Sequence, residues 1–133
     1  MNQHTISRIA ISLLGIVLIV FGILHFVKPD DLVNYVPNWL PGGKLWVFLT
    51  GSAFIAAGLS FLTNKFVKYS GYALAILLFL FVLTIHLPSA LNSGDPALRQ
   101  MSLVSLLKDM ALSAFALYIA SNADYRKHLT QDE

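Results

Sequence analysis

Apolar positions in this chain come in four long runs separated by short polar joints, rather than in the alternation of a half-buried strand. The first run, 9–27, follows Arg8 and covers about 28 Å at 1.5 Å per residue, enough for one bilayer crossing. It is longer than a signal-peptide core and ends in His25-Phe26-Val27-Lys28 with no small-residue cleavage pattern, so it is predicted to be a retained helix. The second run occupies 44–63 and the third 70–87, closing just before Pro88. Ser93-Gly94-Asp95-Pro96 reads as a helix start, with Asp95 as cap and Pro96 at the first helical position. The predicted helices are therefore about 8–27, 44–63, 70–87 and 96–121.

The joints differ in character. Residues 28–43 hold three of the five prolines together with Asp30, Asp31, Tyr35 and Trp39, a composition that ends a helix and suits an ordered cap at headgroup level. Residues 64–69 form a tight polar hairpin, 88–100 a second loop at the opposite end, and 122–133 a charged tail expected to be solvated and frayed.

Composition fits this pattern: of 133 residues 56% are hydrophobic and 12% charged, and the mean hydropathy is +0.68. That describes one integral membrane domain over 1–133, an all-α four-helix transmembrane bundle running up and down, with the lipid bilayer as its first partner. A formal net charge of +2, spread over loop ends, excludes a nucleic-acid partner. The absence of cysteine excludes a dithiol relay, a disulfide framework and a thiolate metal site, and no metal-binding pattern is present. Arg8, Lys65, Lys68, Arg126 and Lys127 fall on the side of the termini, against Lys28, Lys44 and Arg99 on the other. The positive-inside rule then makes both termini cytoplasmic, with the two longer loops facing periplasm or lumen.

Within the first helix Ser12, Gly15, Ile19, Gly22 and His25 share a face, and in the fourth Ser102, Ser105, Asp109 and Ser113 do. Lys108 and Asp109 stand inside the fourth apolar run, where an ionised group costs roughly 2.5 kcal/mol or more and marks either function or an internal joint. The two point about 100° apart around the helix, so each needs another partner. His25 and His86 close the first and third helices on the outward side, with Ser52 descending from the outer end of the second. His25, His86, Lys108, Asp109, Ser52 and Ser105 are the candidate lining of an outward-facing polar pocket for a quinone or a small anion.

The segment Gly22-Ile23-Leu24-His25-Phe26, the following Pro29, Tyr35-Val36-Pro37 and Leu40-Pro41, the Gly51-rich second helix, His86, and Leu107-Lys108-Asp109 together resemble the DoxX and DoxX-like membrane proteins over residues 8–121. That resemblance implies a four-helix bundle in the cytoplasmic membrane, and an accessory subunit of a membrane oxidoreductase assembly with membrane or periplasmic redox partner proteins. It carries over no catalytic residues, and the missing cysteines count against a thiol-based role.

Two readings of function follow. One is a DoxX-like accessory subunit or ligand binder, not an enzyme on its own, with quinone as its cofactor class; His25 and His86 are raw material for haem, but their spacing does not specify it. The other is a structural or assembly protein whose Lys108–Asp109 pair joins helices, partners or copies in a homo-oligomer without a ligand. A transporter ranks below both, because four helices of this length with no midspan proline break make a small path.

Overall fold

The computed structural model describes residues 1–131, and every regular element among them is helical. Four helices are long and apolar enough to cross a membrane: Gln3–Val27, Lys44–Thr63, Val67–Asn92 and Pro96–Ser121. We call Gln3–Val27 α1, Pro29–Leu32 α2, Lys44–Thr63 α3, Val67–Phe81 α4, Leu87–Asn92 α5, Pro96–Ser121 α6 and Ala123–Gln131 α7. Large apolar side chains cover the outside: Leu13, Ile76 and Leu107 are 59%, 62% and 58% exposed. Hydrocarbon wets such a surface where water does not.

Local chemistry sets the helix ends. The Asn2 side chain accepts from the Thr5 backbone N–H at 2.8 Å to open α1, and Asp95 accepts from the Ala97 N–H at 3.0 Å ahead of Pro96 to open α6. At the end of α3 the chain reverses through Asn64 and Phe66, both left-handed at φ 57°. An aromatic residue in that region carries strain of about 1–3 kcal/mol, which the surrounding hairpin must hold. Arg8 helps: its guanidinium donates to the Asn64 side chain at 3.2 Å and to the Phe61 carbonyl at 3.2 Å, satisfying α3's last turn.

The bundle consists of two tightly packed antiparallel pairs, α1 with α3 and α4 with α6, joined along a shorter α3–α4 contact. Glycines set the first pairing. A Cβ on Gly15 would stand 3.0 Å from the Gly58 carbonyl oxygen, and one on Gly22 would stand 2.6 Å from that of Gly51, so the two backbones nearly touch. In the second pair Gly71 fits against Ala116 and Ala120. Phe61, Ile11 and Ile119 are the most deeply buried large side chains of the core shared by all four spans. On α1 the buried face is Ile11, Leu14, Gly15, Leu18, Gly22 and His25, so Ser12 and Ile19 flank the expected face half-buried rather than lying at its centre.

Two segments depart from the sequence expectation. The third span does not stop before Pro88. It continues to Asn92 through a wider π-type turn at Val82–His86, where the Leu87 N–H bonds to the carbonyl five residues back, on Val82. Proline lacks the N–H that would bond four residues back, and its ring presses on that carbonyl, so a widened turn lets the helix pass.

Of the tail, Ala123–Gln131 is helical and forms α7, while residues 132–133 lie outside the described residues. Ala123 is buried, Lys68 Nζ reaches Asp124 Oδ2 at 2.7 Å, and Arg126 donates to the Ile119 carbonyl. The hydrogen bond from the Lys68 ammonium, with its charge, holds the Asp124 carboxyl below the ordinary carboxylate range. A lowered folded-state pKa contributes stability above the unfolded value and loses it as pH falls through the folded one. Amide hydrogen exchange in α7 is therefore expected to speed up, relative to intrinsic rates, below the ordinary carboxylate range. Asp124→Asn should reproduce the effect at pH 7, and equal protection in that variant would count against this contact holding α7.

Candidate functional site: a His–Asp dyad inside the bundle

The widened turn ends on His86, and α6 brings Asp109 against it: His86 Nε2 lies 2.9 Å from Asp109 Oδ2, with the two side chains 17% and 18% exposed. A carboxylate only accepts, so the proton of this bond sits on Nε2. The other ring nitrogen, Nδ1, makes no hydrogen bond among the described residues and is not enclosed. In the neutral imidazole, Nδ1 is therefore an acceptor, oriented by the carboxylate behind the ring. Protonation would make both nitrogens donors.

Two further bonds tie the same helices. Ser102 Oγ donates to Ser89 Oγ at 2.7 Å, and deeper in the bundle Ser113 Oγ donates to the Ala75 carbonyl at 2.9 Å. The dyad lies between these rungs in sequence. His86 is five residues short of Leu91, where that span's apolar stretch ends, about 8 Å at helical rise.

His25 is buried on α1 and bonded to its own helix, with Nδ1 2.7 Å from the Phe21 carbonyl oxygen. Its ring meets Phe54 edge-on at 5.4 Å. Because the carbonyl must accept, Nδ1 donates and Nε2 is left as an acceptor. Ser52 is exposed and donates to the Phe48 carbonyl at 2.9 Å, the bond a serine makes four residues back along its own helix. Ser105 is half-buried on the dyad's helix, and Lys108 is exposed on the outside of α6. Among the described residues, no hydrogen bond or ion pair links His25, Ser52, Ser105 or Lys108 to the dyad. The structure thus joins two of the six candidates and turns Lys108 away from Asp109, as the 100° offset requires.

No group of three or more metal-ligating side chains occurs among the described residues. The open groove between α3 and α4, lined by Ala53, Ala56, Ala73 and Leu77, has Ser70 as its one polar wall residue and is not part of the dyad.

Sequence alone placed His86 and Asp109 on the outward half but not on each other. Asp109 sits in the serine seam of α6, and His86 follows a leucine- and phenylalanine-rich run, so a shared interhelical face was the available signal.

Fold and site together define an integral-membrane type of helical bundle with a protonatable pair between two of its spans. The chain belongs to the family described as Domain of unknown function (DUF8561), whose profile matches residues 14–120. That match replaces the DoxX assignment: the short motifs that carried the resemblance are mainly helix-end histidines, an interfacial proline- and tyrosine-bearing loop and glycines of close packing, which unrelated small membrane bundles also need. The expectation of an oxidoreductase assembly, which came with that resemblance, loses its ground. No curated protein and no solved structure matches the chain.

Proposed function

We propose that this protein crosses the cytoplasmic membrane of a prokaryote four times, up and down, with both termini cytoplasmic, and that it binds a membrane-soluble molecule at the His86–Asp109 pair. The orientation rests on the bias of Arg8, Lys65, Lys68, Arg126 and Lys127 toward the end carrying the termini. The observation that carries the binding reading is an imidazole backed at 2.9 Å by a carboxylate, with its second nitrogen unoccupied, inside an apolar stretch. Ionisable groups at such depth mark ligand or proton paths, and π-type turns frequently occur at functional sites.

The chemistry favours a headgroup that exchanges hydrogen bonds as a quinol and quinone do. A neutral His86 accepts from a hydroxyl, and a protonated one donates to a carbonyl. A small anion fits less well, because Lys108, the nearest cation in sequence, faces outward.

Purified protein in detergent is expected to bind a decyl-tailed quinol, read by equilibrium partition. His86→Phe should weaken that binding by about tenfold, the worth of one hydrogen bond to a polarised group. Asp109→Asn should weaken it less. Equal binding by wild type and His86→Phe would sink the reading.

A further inference from the structure

The exposed Lys108 is the one ionic side chain within the four spans' apolar stretches that the fold leaves on the outside. It stands seven residues past Met101, where α6's apolar run begins, about 10 Å along the axis. A lysine stem reaches about 6 Å, so snorkelling shortens this depth without bringing the ammonium to the phosphates. Its path toward them passes Val104 and Met101 on its own face, 46% and 60% exposed. No hydrogen bond or ion pair engages it among the described residues, while the adjacent Asp109 is held by His86. One turn further along α6 the same face carries Ala111, exposed and small enough to let another backbone approach.

A cation at that depth calls for an anion at the same depth. A second copy of this chain has none to spare. Asp109 is the one acidic residue inside its apolar runs, and Asp30, Asp31, Asp95, Asp124, Asp132 and Glu133 lie outside those runs in the sequence. We propose that the face of α6 formed by Val104, Lys108 and Ala111 docks a transmembrane helix of a different protein, one that carries an aspartate or glutamate about 10 Å below its end on the side away from this chain's termini. The partner carboxylate pairs with Lys108, and Ala111 admits its helix. This lateral contact is independent of the binding at His86, since Lys108 and the dyad face different ways.

The test uses the full chain in phosphatidylcholine vesicles with a synthetic leucine-alanine transmembrane peptide bearing one glutamate at that depth, against the same peptide with leucine there, read by fluorescence energy transfer. The glutamate peptide is expected to associate about 5- to 30-fold more tightly, the range of a single polar contact between membrane helices. Lys108→Met abolishes the preference and Lys108→Arg retains it. Four results would overturn the proposal, three of them with the peptides and the chain alone. These three are equal association of the two peptides, a preference that survives Lys108→Met, and self-association of the chain that Lys108→Met removes, which would make a second copy the occupant. Loss of the preference when phosphatidylglycerol is added would likewise assign the site to a lipid phosphate.

Discussion

Gly22→Val drives α1 from α3 and lowers stability by about 3 kcal/mol or more, beyond the usual cost of an overpacked core. A Cβ at Gly22 meets the Gly51 carbonyl oxygen at 2.6 Å, Ile55 Cγ1 at 2.5 Å and the Ile55 backbone nitrogen at 3.1 Å. A side chain such as Ile55 could turn aside, but two of those three atoms are backbone, so the helices themselves must separate. In a bilayer that matters more than in water, because apolar burial gains little over lipid and close packing supplies much of the association. Gly94→Ala is the matched control, since nothing lies within 4 Å of its Cβ position. Unfolding in mixed detergent, followed by circular dichroism, should separate the two variants clearly. Equal midpoints would show that α1 and α3 are held by something other than this contact.

Breaking the dyad from one side is expected to cost more than removing it whole. His86→Leu leaves the Asp109 carboxylate facing leucine, at about 2–4 kcal/mol, a range set below that of a fully buried pair because both side chains remain 17–18% exposed. Asp109→Leu leaves an imidazole that can stay neutral, at about 1–2 kcal/mol. The double variant should recover much of the loss, as one apolar contact replaces two polar groups. A double-mutant cycle in detergent measures this directly. Strictly additive costs would mean that the 2.9 Å bond contributes nothing to holding α6 against the widened turn.

The four spans, the Asp95 cap and the failure of Lys108 to pair with Asp109 were legible because each follows from local rules of hydropathy, capping and helical offset, whereas Lys108, expected in the pocket lining, is exposed on the outside of α6. Pro88 misled, since proline in sequence signals a helix end. The continuation to Asn92 depends on a widened turn and on α6 lying alongside, which a one-dimensional pattern does not contain. The tail misled for a related reason. Its charges suggest solvation, but Asp124 and Arg126 reach Lys68 and Ile119, groups distant in sequence or shielded by the fold. The meeting of His86 with Asp109 needed the relative rotation of two helices, and periodicity fixes each helix's face only to within about one residue's turn. The DoxX resemblance failed because its motifs mark the needs of any small bundle at the membrane surface.

The pairing of α1 with α3 and of α4 with α6 also bears on how the chain is made. Each pair consists of successive spans, so each hairpin has its close small-residue contacts within itself as soon as its two helices are made. The dyad belongs wholly to the second hairpin and the Gly22–Gly51 approach wholly to the first. Neither half therefore waits for the other to shield its most demanding contact from the lipid during biogenesis.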